Sequence, residues 1–273
     1  MNRPEQTRTL KVSVLMPVYN EKSTVSHAVA RVREVGMDSE IICVDDCSTD
    51  GTRDVLQSLL QTGEIDHLVL HEKNRGKGAA IRTALERATG DVVVIQDADL
   101  EYDPEDLIRL LGPMEDGRAD AVFGSRFKGD VSRVLYYWHS LGNWALTTLS
   151  NMLTNLNVSD METCYKMVRT DLMRSLPLTS DRFGFEPELT ARLAQSRARI
   201  YEVPISYSGR TYAEGKKIRW TDGVAAFWHI VKFNLFSERA PHYRNSVAAS
   251  RPGAPALEAA RSSSESAPRA LAR

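Results

Sequence analysis

The sequence predicts an α/β fold: a doubly wound, mostly parallel sheet with helices on both faces. Three observations carry that expectation. Strand-like and helix-like segments alternate from residue 11 to residue 125, as in parallel strands joined by crossover helices. The strand segments are near-continuous apolar runs such as Val92–Ile95, so both faces of the sheet are expected to be covered. The polar motifs fall where those runs end, at the edge where open α/β sheets take their ligands.

Taken in order, residues 1–10 are polar and expected to be a loose N-terminus. Residues 11–17 (KVSVLMP) read as the first strand, stopped by Pro17. After Val18-Tyr19-Asn20-Glu21, a helix over 23–35 halts at Gly36. Residues 40–44 form a second buried strand that runs into Asp45-Asp46-Cys47-Ser48-Thr49-Asp50-Gly51, followed by a helix over 52–60. His67–Leu70 is a short third strand, and Asn74-Arg75-Gly76-Lys77-Gly78 opens a helix ending near Gly90. Val92–Ile95 leads into Asp97-Ala98-Asp99-Leu100-Glu101-Tyr102-Asp103, and a helix starts from Pro104. A strand over 119–123 enters Gly124-Ser125-Arg126. The second half is less regular. Residues 135–156 form a helical pattern rich in Tyr and Trp and free of acidic residues; 165–169 and 199–207 read as strands, and 186–194 and 220–236 as helices. From Ala240 the composition shifts to Pro, Ala, Ser and Arg, and 240–273 is expected to be a disordered tail. One domain over 11–236 follows, with 11–126 as a ligand-binding half and 127–236 as a second half.

Composition bounds the function. The net charge of −1 is unevenly spread: residues 1–11 carry +2 and 239–273 carry +4, leaving −7 between them. An acidic core argues against nucleic acid and fits a site that takes a cation. Cys43, Cys47 and Cys164 make no C-x-x-C pair and leave one unpaired, so a reducing cytoplasm is the expected location. No apolar run reaches membrane-span length, which makes a soluble or peripheral protein the expectation. The six histidines show no ligand spacing, and no neighbouring base activates Cys47 as a nucleophile.

The chemistry concentrates in the strand exits. In extended chain, residues two apart point the same way, so Asp97, Asp99 and Glu101 are expected to converge. Three carboxylates together repel unless a cation sits among them, and hard oxygen donors favour Mg²⁺ or Mn²⁺ shared with a substrate phosphate. A solvated acidic turn that caps the next helix is the plainer alternative. Pro17, Tyr19, Glu21, Asp45 and Asp46 end neighbouring strands; they suit a base and ribose, or ordinary turn and cap chemistry. The loop carrying Asn74, Gly76 and Lys77 combines backbone N–H groups, a helix N-terminus and cations, which suits phosphate. It lacks the Gly-Lys-Ser/Thr ending of a P-loop, and no G-x-G-x-x-G follows the first strand. Residues 210–217 (RTYAEGKK) are either a cationic loop that closes over a diphosphate or a plain basic surface loop.

In this order and spacing, P-V-Y-N-E, V-D-D-C-S-T-D-G-T, N-R-G-K-G-A, D-A-D-L-E-Y-D-P and G-S-R resemble family 2 glycosyltransferases of the GT-A fold. Downstream, D-M-E-T-C-Y-K, F-G-F-E-P-E-L and V-P-I-S-Y-x-G-R-x-Y-x-E-G-K-K are similar to the dolichol-phosphate mannose synthase branch, so the likeness covers about residues 11–235. The resemblance implies inverting transfer of a hexose from a nucleoside-diphosphate sugar to a polyprenyl phosphate, with Mg²⁺ or Mn²⁺. It implies that Pro17, Tyr19, Glu21 and Asp45 or Asp46 contact the nucleoside, and that Asp97, Asp99 and Glu101 hold the metal. Arg126 would meet the acceptor, and Arg210 with Lys216 or Lys217 would clamp the phosphates. A phosphate acceptor needs no base; a hydroxyl acceptor would draw on Glu188, Glu162 or Asp160. The chain departs from that branch at Glu101 and Glu186, where the branch has Gln. It also departs at Glu162-Thr163-Cys164, where the branch has Thr-Ser-Gly, and Gly215-Lys216-Lys217 replaces a Gly-x-Ser-Lys loop. The extra carboxylates keep a soluble hydroxyl acceptor in play. The aromatic helix over 135–156 is a lipid-contacting element at the inner face of the membrane, a cover for the sheet, or a homodimer interface. A non-catalytic sugar-nucleotide-binding module is the rival from another class.

Overall fold

The computed structural model describes residues 9–128, 136–210 and 220–243. Seven strands form one sheet in the order β3-β2-β1-β4-β6-β5-β7. The strands are β1 (Val12–Val18), β2 (Ser39–Asp45), β3 (His67–Leu70), β4 (Val92–Ile95), β5 (Ala121–Ser125), β6 (Lys166–Arg169) and β7 (Ile200–Pro204). All neighbours pair in parallel except β6, which runs antiparallel to both β4 and β5. The helices are α1 (Val25–Glu34), α2 (Thr52–Gln61), α3 (Lys77–Leu85), α4 (Asp106–Glu115), α5 (Tyr137–Thr154), α6 (Thr170–Ser175), α7 (Phe185–Gln195) and α8 (Trp220–Val231). A π-helical turn, Lys232–Phe236, continues α8.

Apolar runs make the central strands because helices cover both faces. Every residue of β4, and all but Pro17 of β1, is buried. Pro17 does not end β1, contrary to the sequence reading, and the strand continues to Val18. The ladder to β4 stops at Leu15, so Pro17 lies where β1 has lost one neighbour and the missing N–H costs nothing there. The sequence also hid α6, whose six residues are too few for a helical period to show.

Both chain ends were read too short. Leu10 packs into the core, where residues 1–10 were expected to be loose. Residues 240–243 are tied down as well: Ala240 is buried and donates its N–H to Gln195, and the Tyr243 hydroxyl donates to the Asp171 carboxylate. One aromatic with a hydroxyl partner holds this stretch against a composition that otherwise reads as unstructured. The rest of the expected tail, 244–273, lies outside the described residues.

Because β6 runs backwards, the segment that enters it lies at the same edge of the sheet as the exits of β1, β4 and β5. Residues 160–165 therefore face the Asp97–Glu101 segment although some 60 positions separate them. The Tyr102 hydroxyl accepts from the Cys164 N–H at 3.0 Å, and the Tyr165 hydroxyl donates to Gln96 at 2.5 Å.

Candidate active site

The Asp97–Glu101 segment does not continue β4 as extended chain. β4 ends at Ile95, a turn follows, and Leu100 takes a positive φ of 64°. The alternation that would aim Asp97, Asp99 and Glu101 at one point is broken by that turn. Among the described residues no three carboxylates form a metal-binding group. Each acidic side chain instead has partners within the protein, with Arg210 shared by Asp99 and Glu101. Asp97 pairs with Lys77 at 2.9 Å, and Asp99 pairs with Arg210 at 3.1 Å. Glu101 accepts from the Tyr207 hydroxyl at 2.7 Å and from the Arg210 backbone N–H at 3.0 Å.

The carboxylates nevertheless feel one another. Burial, then the charges of Asp97 and Glu101, push the Asp99 carboxyl up to about 7, against the pull of a Glu101 N–H and Arg210. An excess of negative charge of this kind is what a divalent cation relieves. Mg²⁺ commonly takes one or two carboxylates and completes its shell with substrate phosphate and water, so the donors fit such an ion without a three-carboxylate cage. Arg210 spans the mouth, since its guanidinium also reaches Glu21 at 3.6 Å and Glu101 at 3.4 Å. It thereby joins the exits of β1 and β4 to the segment after β7. Tyr19 stands exposed and Pro17 half-buried at the β1 exit. Lys216 and Lys217 lie outside the described residues.

Four expectations are corrected by where the side chains point. Asp45 is fully buried; its Oδ2 accepts from Nε and a terminal nitrogen of Arg53, at 2.9 and 2.7 Å, and its Oδ1 accepts from the Ser48 N–H. Asp46, also buried, accepts from the N–H groups of Arg75 (2.8 Å) and Gly76 (2.7 Å) and from His71 Nδ1 (2.7 Å). Both carboxylates are spent on partners within the protein and anchor the loops that follow β2 and β3. It follows that the N–H groups of Arg75 and Gly76 are not open to phosphate, because Asp46 has taken the anion's place, and Asn74 donates to the Asp46 carbonyl. Gly76 is required here for another reason: its φ is +94°, and a side chain would run into the carbonyl of Asp181. The third correction concerns Lys77, whose ammonium bridges Asp97 and Glu186 (3.0 Å). Burial works against that ammonium, but Asp97, Cys164 and Glu186 outweigh it and raise its proton affinity.

Glu188 is the fourth correction. It is fully buried and accepts from the N–H and hydroxyl of Thr179 and the N–H of Ser180, with Arg192 at 3.7 Å. All its lone pairs face inward, so it closes the turn before α7 and cannot serve as a base. Asp160 is equally committed. Arg126 grips it through Nε (2.6 Å) and a terminal nitrogen (2.8 Å), and despite burial that guanidinium holds the Asp160 carboxyl below its ordinary range. Arg126 also stacks over Tyr207, at 5.0 Å from the ring centroid.

Several residues of the site lie inside the quoted motifs but were given no role from the sequence: Tyr102, Tyr207, Glu186 and Lys166 bind the acidic segment or the loop opposite it. Lys166 is the centre of that loop: its buried ammonium donates to the carbonyls of Met161 (2.7 Å) and Thr163 (2.6 Å). Lys166 closes the D-M-E-T-C-Y-K motif and opens the short buried strand KMVR, where a buried ammonium must find polar partners.

In the second half of the chain, α5 and α8 expose an apolar face that includes Tyr137, Trp138, Trp144, Phe227 and Trp228. A groove of about 470 Å³ between the two helices is lined by Gly142, Ala145, Leu146, Gly223, Val224 and Phe227. On the same helix α5, the Asn143 amide reaches Asp160 at 3.4 Å. No described helix is long and apolar enough to cross a membrane.

Comparison with known proteins decides the family. Residues 13–176 match the family model for glycosyl transferase family 2. The chain belongs to that family. An undecaprenyl-phosphate mannosyltransferase of Micrococcus luteus is 30% identical over 246 residues, spanning 83% of this chain and 99% of its own length. A dolichol-phosphate mannosyltransferase of Pyrococcus furiosus is 26% identical over 212 residues, 76% of this chain but 59% of that protein. Among solved structures, glucosyl-3-phosphoglycerate synthase of Mycobacterium tuberculosis in complex with Mn²⁺, UDP and glucosyl-3-phosphoglycerate aligns with a TM-score of 0.65 and 20% identity. That alignment covers 84% of this chain and 81% of the synthase, and it shows the GT-A fold. This family 2 glycosyltransferase therefore carries its acidic segment at the β4 exit of a GT-A sheet.

Proposed function

We propose that this glycosyltransferase moves a hexose from a nucleoside-diphosphate sugar to a polyprenyl phosphate, with inversion. One observation carries the acceptor class: α5 and α8 expose an apolar face with a groove between them, and α5 also carries Asn143, whose amide reaches the Asp160 carboxylate that Arg126 grips, so one helix serves both an apolar chain and the polar site. The names of the undecaprenyl- and dolichol-phosphate relatives support the same class. In the reaction an acceptor phosphate oxygen bonds to C1 of the hexose as the bond from C1 to the diphosphate oxygen breaks. The acceptor is already an anion, so no base is needed.

The chain's own part is to place and neutralise. Tyr19 and Pro17 flank the nucleoside and Arg210 faces the diphosphate. Asp99, with Asp97 beside it, would hold Mg²⁺ or Mn²⁺, which supplies a positive charge against the departing diphosphate. The α5–α8 face sets the protein against a lipid surface, as exposed apolar patches commonly mark a binding surface. Replacing Trp138, Trp144 and Phe227 together by Gln tests this. All three are more than half exposed, so stability should change little, while sedimentation with vesicles and transfer to undecaprenyl phosphate should fall.

A hydroxyl acceptor is the second reading, favoured by one observation: Arg126 is already neutralised by Asp160, which weakens its hold on a phosphate. Side-by-side transfer assays with undecaprenyl phosphate and with glycerol or methyl glucoside separate the two. Transfer only to the soluble hydroxyl compounds would remove the first reading.

A further inference from the structure

Arg210 is held in two different ways. Its backbone is fixed. Tyr102 and Tyr207 form an antiparallel bridge, and the Ser208 N–H donates to the Glu101 carbonyl at 2.9 Å. The Arg210 N–H donates to one oxygen of the Glu101 carboxylate at 3.0 Å, and the Tyr207 hydroxyl donates to the other at 2.7 Å. None of these bonds involves the Arg210 side chain. Its guanidinium is held loosely. Nη2 lies 3.1 Å from Asp99 and 3.6 Å from Glu21, and Nε lies 3.4 Å from Glu101. Charge-assisted bonds at full strength run to about 2.7–2.9 Å. Arg126 reaches that range on Asp160, at 2.6 and 2.8 Å. Arg210 thus balances three carboxylates without closing on any of them, and all four side chains keep some solvent exposure. Ion pairs that water can reach are weak and exchange readily.

The oxygen that Arg210 faces matters as well. Asp99 Oδ1 accepts from the Glu101 N–H at 3.2 Å, inside its own turn, whereas Oδ2 is the oxygen turned to Arg210. A divalent ion taken up by Asp99 would share that carboxylate with the guanidinium. Two cations a few ångströms apart repel each other unless an anion lies between them. A diphosphate is such an anion. We propose that Arg210 is a displaceable counter-cation: its side chain holds the Asp99 carboxylate until a divalent ion replaces it there, and then turns to the diphosphate from a backbone anchored on Glu101. Glu101 serves as the anchor and not as a ligand of the ion. Ion and diphosphate are coupled through one side chain, which opposes the ion alone and favours it together with the nucleotide. The inference rests on the transferase reading above and adds how its metal and donor depend on each other.

The test titrates wild type, Arg210→Ala, Arg210→Lys and Arg31→Ala with Mn²⁺ alone, and with UDP and GDP in saturating Mn²⁺. Free Mn²⁺ is read by electron paramagnetic resonance and nucleotide binding by calorimetry. Arg210→Ala should bind Mn²⁺ alone about 10-fold more tightly than wild type, yet bind the preferred nucleotide about 10-fold more weakly. Arg210→Lys keeps a cation and should lie between the two. Because the bonds that fix this segment are made by its backbone, the Tm of Arg210→Ala should stay near that of wild type. Arg31 pairs with Asp103 at 2.8 Å and controls for the loss of a neighbouring charge, so Arg31→Ala should leave both affinities unchanged. Mn²⁺ affinity in Arg210→Ala equal to or weaker than that of wild type overturns the proposal, as does a gain matched by Arg31→Ala. Tighter Mn²⁺ with unchanged nucleotide binding overturns the turn towards the diphosphate. Should wild type bind Mn²⁺ but neither nucleotide, the transferase reading fails, while the Mn²⁺ comparison still judges the counter-cation by itself.

Discussion

Removing the Asp46 carboxylate is the most informative single perturbation, because two accounts of that residue predict opposite results. If it contacts a nucleoside, Asp46→Ala costs affinity and little stability. In the structure it is an internal anchor that accepts from Arg75 N–H at 2.8 Å, Gly76 N–H at 2.7 Å and His71 Nδ1 at 2.7 Å, and the residue is 3% exposed. Alanine would strand two backbone donors and one ring donor. At about 1–3 kcal/mol for each buried donor left unsatisfied, partly relieved by water entering the gap, the loss is about 4 kcal/mol. For a chain of this size that is a fall of roughly 10 °C in Tm. Asparagine keeps one acceptor but turns an amide donor towards other donors, so its loss should lie between wild type and alanine. Urea unfolding gives the stability change and a UDP or GDP titration gives the affinity. The anchor account is refuted if Asp46→Ala unfolds within about 1 kcal/mol of wild type yet no longer binds nucleotide.

Three other outcomes follow from the same geometry. Glu188→Ala leaves Arg192 buried without its carboxylate and should cost about 3–5 kcal/mol in denaturant unfolding, whereas a general base would be lost without damage to the fold. Asp99→Ala should keep the fold and lower nucleotide-sugar turnover by about 10²–10³-fold, and full activity in a direct transfer assay would remove Asp99 from the site. Acid should weaken the chain through Glu40. Burial opposes its ionisation, but bonds from Ser13, Thr89 and Lys11 outweigh it and hold the carboxyl at about 2. A depressed carboxyl stabilises above its unfolded pKa, and the benefit drains away as pH falls from about 4.5 towards about 2. The full loss is on the order of 3 kcal/mol, seen as a falling Tm across that range that Glu40→Gln should flatten.

Much of the fold was legible because buried parallel strands leave an unmistakable trace: Val92–Ile95 and the core of β1 read as strands with no alternation to confuse them. The reversed strand β6 was visible as a strand but its direction was not, since nothing in KMVR records which neighbours it meets. Site residues were legible by place more than by role. The motifs do gather at one edge, yet Asp45, Asp46, Lys77 and Glu188 spend their polarity on the protein itself, because a charged group near a strand exit serves equally well as ligand contact or loop anchor. The Asp97–Glu101 segment failed for a simpler reason. Its period-two geometry held only while the chain stayed extended, and Leu100 turns it. Glu162 was one of three candidate bases with nothing in the sequence to rank them; only the partners taken by Glu188 and Asp160 set it apart.

The place of β6 between β4 and β5 also bears on how the molecule comes together. A nascent chain that has emerged only as far as Arg126 holds β4 and β5 with no strand to join them, so each presents an unpaired row of backbone groups. Closure waits for the four residues of β6, which interlock the early and late portions of the polypeptide. The portion ahead of Arg126 is thus a poor candidate for expression in isolation. Grafting a different second half behind it would require carrying β6 along with the graft.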